Sequence, residues 1–164
     1  MSIKNFNAPN KDAFSRQFNQ GYFTPKNLFK YVGQYPIIYR SGLELKFCKM
    51  CDSNTSITRW SSESIALNYY NPVEQKEANY YPDYLIEILK DNILVKYMVE
   101  IKPRDFIVKP KQPAKTASIQ QRKNYNYKLK NYIVNMHKKI AADKFCKENN
   151  MKYIFLTESF FRYF

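Results

Sequence analysis

YYPDYLIEILKDNILVKYMVEIKP, residues 80–103, decides the fold. Residues 80–89 and 93–101 are rich in aliphatic, β-branched and aromatic side chains, and Asp91-Asn92 makes a short turn between them. They read as an antiparallel hairpin, with 93–101 apolar enough to be a central strand. Upstream, Ile65, Leu67 and Tyr69 share one parity within residues 63–70, and Asn71-Pro72 turns the chain, which predicts a third antiparallel strand before the hairpin. Further out, Ser41-Gly42-Leu43-Glu44 has capping-box spacing, and Leu43, Phe47, Met50 and Cys51 recur as one helical stripe. The helix should end near Asp52. On the other side, Leu129, Ile133, Met136 and Ile140 follow helical spacing, Asn149-Asn150 supplies a left-handed stop, and YIFLT (153–157) makes a last strand beside the hairpin. The expected class is α/β: helix, three-stranded antiparallel meander, helix, strand. Residues 1–38, rich in aromatics, Asn and Pro without a sustained period, read as an irregular N-terminal arm, and residues 39–164 as the main body of a single compact domain.

Charge is the strongest compositional signal: 27 Lys and Arg against 14 Asp and Glu give +13 over 164 residues. A polyanionic partner follows, double-stranded DNA foremost. The bases cluster, with eight of them against the single acid Asp105 in residues 103–130. Lys109, Lys111, Lys115, Arg122 and Lys123 are the candidate phosphate contacts, and the prolines of 102–113 suit an exposed loop. No stretch approaches the ~18 apolar residues of a membrane span. The opening MSIKNFNAPNKDAF has no apolar run behind a basic start, so a cytoplasmic location is expected and a membrane partner is not. Glycines stand only at 21, 33 and 42, which leaves no GxGxxG or GxxxxGK[ST] loop and no expected small-molecule cofactor.

Chemistry concentrates at one end of the hairpin. Glu100 and Lys102 point to the same side of a strand, ~7 Å apart at ~3.3 Å per residue, and antiparallel pairing brings Asp83 beside them. Two carboxylates form the oxygen site that Mg²⁺ or Mn²⁺ prefers, and the ammonium can hold an attacking water. The plainer explanation is an edge ion pair between Glu100 and Lys102 worth ~1 kcal/mol at most. Cys48-x-x-Cys51, His137 and Cys146 could supply four zinc ligands, but a pair inside an amphipathic helix reads better as buried free thiols. Tyr125, Tyr127 and Tyr132 could stack on bases or pack the helix.

Pro82-Asp83 followed by Glu100-Ile101-Lys102 resembles the PD-(D/E)XK nuclease signature, in the element order that this superfamily uses. A denser similarity, over roughly residues 22–158, is to the head-completion nucleases of T-even-type tailed phages. It is carried by FTPKN (23–27), YVGQYPIIYRS (31–41), RWSSE (59–63), YNP (70–72), YYPDY (80–84), VEIKP (99–103) and FLTE (155–158). Asn135-x-x-Lys138, Ala141-Ala142 and Phe145-Cys146 add to it.

The resemblance implies a restriction-endonuclease-like core, with Asp83 and Glu100 as metal-binding acids and Lys102 as the catalytic lysine. Glu44 would be the acid from the first helix, although position N3 of a capping box wants Glu anyway. Glu63 matches a further family position, which a pairing with Arg59 explains equally well. Asn135 and Lys138 would support the acids or touch DNA, where a solvated helix face is the plainer account. The implied activity is metal-dependent cleavage of packaged or portal-proximal phage DNA, with head, portal or neck proteins as partners. The implied location is the host cytoplasm during assembly and the virion afterwards. The rival expectation is a structural neck component with this fold and little or no catalysis.

Overall fold

The computed structural model describes residues 19–163; residues 1–18 of the expected arm lie outside them. Strand β6 (Tyr84–Lys90) and strand β7 (Ile93–Ile101) pair antiparallel from Tyr84↔Val99 to Lys90↔Ile93. Asp91 and Asn92 both sit at left-handed φ, 50° and 60°. That combination gives a two-residue turn the twist its strands need, and Asp and Asn tolerate it best after Gly. Strand β8 (Lys152–Leu156) runs parallel to β7, so the final strand does lie beside the hairpin. A parallel neighbour requires a crossover. Helix α2 (Ile119–Glu148) provides it, and Asn150 at φ 52° turns the chain out of the helix.

The third strand of the meander is not residues 63–70. Its place beside β6 is taken by β3 (Ile57–Ser62), in a mixed sheet of order β3, β6, β7, β8. A register shift between Ile57 and Arg59 breaks the alternation of ITRWSS, which hides it from a period-two pattern. Strand β4 (Leu67–Asn71) pairs instead with β5 (Lys76–Tyr80), forming a separate two-stranded hairpin between the first and second strands of the sheet. Asn71 Oδ1 accepts the backbone N–H groups of Val73 and Glu74, which closes that turn.

The pleat divides the interior in two. Tyr84, Ile86, Val99 and Ile101 join Ile57 and Trp60 under helix α1 (Gly42–Ser53), which buries Phe47, Cys48 and Cys51. Ser41 caps α1 as the sequence predicts, its Oγ accepting Glu44 N–H at 3.2 Å. Tyr31 and Ile37 enter the same core, and strands β1 (Gly21–Phe23) and β2 (Ile37–Tyr39) pair, so residues 19–38 are ordered into the body rather than irregular throughout. On the other face, Met98 meets Ala142 and Cys146 of α2 and Leu67, Tyr69 and Tyr80 of the β4–β5 hairpin.

Helix α2 presents a different stripe from the expected one. Ile140 is 65% exposed, whereas Asn135, Ala142 and Cys146 are buried. The inner face packs Ala142 and Cys146, flanked by Val134, Ala141 and Phe145, on Met98 and the β4–β5 hairpin, and Asn135 on the Phe106 carbonyl. The thiols lie on opposite faces of the sheet, Cys48 and Cys51 on one and Cys146 on the other, so the four-ligand zinc arrangement is not assembled. Burial pushes Cys48 up to about 12 and Cys146 to about 11. Among the described residues no helix is long and apolar enough to cross a membrane.

Candidate active site

Asp83 stands one position before β6, one step beyond the Tyr84↔Val99 pair, which sets it against Glu100. Its Oδ2 accepts Ile101 N–H at 2.7 Å and its carbonyl accepts Glu63 N–H at 3.1 Å, so both side chain and backbone are held. Glu100 is 2% exposed; Oε1 lies 2.8 Å from Lys102 Nζ, and Oε2 accepts the Tyr80 hydroxyl at 2.6 Å. The same Lys102 Nζ is 4.0 Å from Asp83 Oδ2. One ammonium thus spans both acids and keeps their oxygens within about 7 Å of each other. Lys102 is held in turn by its own N–H, which donates to Leu156 O at the end of β8.

Asp83 and Glu100, with Glu44 at the border, outnumber the ammonium groups of Lys102 and Lys138 that reach them, which leaves this pocket short of positive charge. Burial, reinforced by the charge of Glu100, raises Asp83 to about 7, although Lys102 and the Ile101 N–H pull it back. Burial works to lower Lys102, but the charges of Asp83 and Glu100 outweigh it and its pKa is raised. A carboxyl that keeps its proton towards neutrality beside a second carboxylate is the environment that a divalent cation relieves. The donors are carboxylate oxygens, as a hard ion such as Mg²⁺ requires, so the residues present fit one. Among the described residues no three His, Cys, Asp or Glu side chains converge on one point, so a metal here would rest on Asp83 and Glu100.

The other candidates fall into place unevenly. Glu44 performs the capping role, Oε1 accepting Ser41 Oγ–H at 3.0 Å and Oε2 accepting Arg40 N–H at 2.7 Å. Its charge is nevertheless felt at Asp83 and Lys102, so it borders the site. Glu63 does not pair with Arg59. It takes the Arg40 guanidinium at 2.5 and 3.1 Å, from a left-handed backbone at φ 46°. Asn135 is buried and donates to Phe106 O at 3.0 Å, pinning the turn after β7 to α2 rather than lying on a solvated face. Lys138 Nζ lies 5.1 Å from the Tyr80 ring centroid and 5.7 Å from that of Tyr69, and burial lowers its pKa.

Lys109, Lys111, Lys115, Arg122 and Lys123 are exposed, as expected. Lys109 and Lys111 line a groove of about 850 Å³ with Asn124, Tyr125 and Lys128, between the loop and the start of α2. Arg122 is committed inward, its guanidinium donating to Lys115 O at 2.6 Å and Ala117 O at 3.2 Å. Its plain role is to brace the loop that carries the lysines. Tyr80 and Arg40 are the contributors that sequence reasoning missed. Nothing in the spacing of YYPDY singles out Tyr80, and the partner of Arg40 is 23 residues away.

A family model described as TnsA-like endonuclease N terminal matches residues 54–158, from just before β3 to just after β8, with Asp83, Glu100 and Lys102 inside. The chain belongs to this endonuclease family. It is also 31% identical over 139 residues to the head completion nuclease of Enterobacteria phage T4, covering 84% of this chain and 90% of that one. No solved structure matches. The nuclease is therefore of PD-(D/E)XK type, and the family implies the restriction-endonuclease-like fold that the mixed sheet and its two helices suggest. A nuclease of this kind implies a DNA substrate, and its family is typically metal-dependent. Glu44 and Arg40 precede the matched residues, so their part rests on the geometry alone.

Proposed function

We propose that this nuclease is a divalent-metal-dependent DNA endonuclease acting on packaged or portal-proximal DNA during phage head completion. The observation that carries the chemistry is the Lys102 ammonium held between two acids, one of them fully buried, at the open end of β6–β7. Asp83 and Glu100 would hold Mg²⁺ or Mn²⁺ through their oxygens. The bound ion supplies positive charge against the charge that develops on the phosphate.

Lys102 stays protonated through neutral pH, since its pKa is raised, and therefore acts as a donor. One of its three N–H groups is engaged by Glu100, and the others can orient a water and a phosphate oxygen. Glu44 adds negative charge behind Asp83, and the Arg40–Glu63 pair lies within electrostatic reach at the rim. Lys138 closes the α2 side over Tyr80. Lys109, Lys111 and Lys115, on a loop braced by Arg122 and Asn135, and Lys123, near the start of α2, would grip duplex phosphates beside the site.

The relative named a head completion nuclease supports the assembly role. Head, portal or neck proteins would be its partners, and it would pass from host cytoplasm to virion. Plasmid cleavage with Mg²⁺ or Mn²⁺, and again with EDTA, tests the reading. Cutting should need the ion, stop with EDTA and return with excess metal. Cutting that survives EDTA overturns the metal dependence, and no cutting with either ion returns the protein to a structural role in the neck.

A further inference from the structure

Glu100 is almost wholly removed from water, yet both of its oxygens are engaged. Oε1 faces Lys102 at 2.8 Å, and Oε2 takes the Tyr80 hydroxyl at 2.6 Å. A carboxylate held at one oxygen can still rotate about its last torsion, which is broad and weakly restrained. Donors on both oxygens stop that rotation. We propose that Tyr80 is a positioning residue for Glu100, and that the hairpin inserted between β3 and β6 serves to aim this carboxylate at the metal.

The surroundings of Tyr80 are built to hold it. It is the last residue of β5, paired with Leu67 of β4, and is 2% exposed. Its ring meets Tyr69 edge-on, centroids 6.4 Å apart at 80°, and Lys138 Nζ lies 5.1 Å from the same ring. The Tyr153 hydroxyl, from β8, lies 3.2 Å from that of Tyr80. Because the Tyr80 proton is committed to Glu100, Tyr153 must be the donor in that contact. A chain of two hydrogen bonds therefore runs from β8 through β5 to Glu100, each polarising the next.

The choice of donor matters as much as its placement. A tyrosine hydroxyl satisfies a buried oxygen without bringing positive charge. A lysine or arginine in its place would neutralise the pair that has to attract a cation. Each carboxylate oxygen carries two lone pairs, so Tyr80 and Lys102 leave one on either oxygen for an ion. Groups that hold a metal ligand in place typically alter metal affinity or activity by about 10–100-fold when removed.

This inference rests on the metal site proposed above, and the test separates the two. Mn²⁺ binding to the full chain without DNA is measured by calorimetry for the parent, Tyr80→Phe, Tyr153→Phe and Asp83→Ala, alongside kcat and KM for plasmid cleavage. Tyr80→Phe should weaken Mn²⁺ by about ten-fold or more and lower kcat with KM for DNA unchanged, and Tyr153→Phe should weaken Mn²⁺ by a smaller factor. Parent-like Mn²⁺ affinity in Tyr80→Phe, while Asp83→Ala loses the ion, overturns the role of Tyr80 alone. Parent-like affinity in Asp83→Ala overturns the metal site and this inference with it. Should Tyr80→Phe fail to fold, Tyr153→Phe decides: weaker Mn²⁺ binding supports the relay, and unchanged binding overturns it.

Discussion

At its open end the β6–β7 hairpin buries charge, with Glu100 at 2% exposure and Asp83 and Lys102 packed against it. At its closed end the same two strands expose hydrocarbon: Leu89 and Leu94, which face each other across the ladder, are 46% and 48% exposed, and Ile93 is 65% exposed. Folding alone favours the reverse. Taking an ion out of water costs several kcal/mol unless partners replace the lost hydration, while a half-exposed leucine costs little. The partners at the open end are supplied one by one: the Ile101 N–H, the Lys102 ammonium and the Tyr80 hydroxyl. Such provision is not needed to hold two strands together, and the difference between the ends supports placing the proposed site at the open one.

The largest expected effects come from removing the acids. Asp83→Ala and Glu100→Ala should each lower cleavage by about 100-fold or more, with DNA binding in the absence of metal retained or tightened, since an anionic repulsion disappears. Lys102→Ala should cut turnover with a smaller change in Mn²⁺ affinity than Asp83→Ala, since losing the ammonium frees one Glu100 oxygen but also removes a charge that repels the ion. Single-turnover cleavage and anisotropy titrations check these, and parent-like cutting by all three variants would place the chemistry elsewhere.

A middle-sized effect should appear in stability against pH. Asp83 has a folded pKa raised to about 7, so the folded state keeps a proton that the unfolded chain has already lost. Stability from this group is full below pH ~4 and falls as pH rises towards 7. Asp83→Asn should flatten that fall and raise the melting temperature at pH 8 by about 5 °C, given ~2–4 °C per kcal/mol for a chain of this size. Calorimetric scans at pH 4, 6 and 8 without metal test it, and equal slopes for both proteins would remove the buried-charge account.

The smallest effect belongs to the closed end. Leu89→Ser and Leu94→Ser should each change stability by about 0.5–1 kcal/mol in urea and leave cleavage alone. A larger loss that grows as the protein is diluted would break the contrast, because it would show those leucines covered by a second molecule.

Most of the open end was legible in sequence because its signals are local. Asp83, Glu100 and Lys102 sit at fixed offsets on two strands joined by a two-residue turn, so period and pairing place them together. Strand β3 was hidden by its register shift, and β4 borrowed its place because Ile65, Leu67 and Tyr69 alternate as a sheet strand would. The stripe of α2 was misjudged since its buried positions are Asn135, Ala142 and Cys146, small or polar residues that close on the Phe106 carbonyl and on Met98 and carry little apolar signal, while Ile140 faces out. Tyr80 gave no signal. Its role exists only when two hairpins and β8 meet, and no spacing along the chain encodes that meeting.

The parallel pairing of β7 with β8 has a consequence for the order of assembly. The two acids are joined by a short hairpin, a contact of low loop-closure cost, whereas β8 reaches β7 only after a crossover of about fifty residues. Asp83 and Glu100 should therefore come together while still hydrated, and the expense of drying them should fall on a later step, the docking of α2 and β8. Substitutions in β6–β7, such as Ile86→Val, should then slow refolding, and Ile154→Val in β8 should mainly speed unfolding, as stopped-flow measurements on both variants can decide.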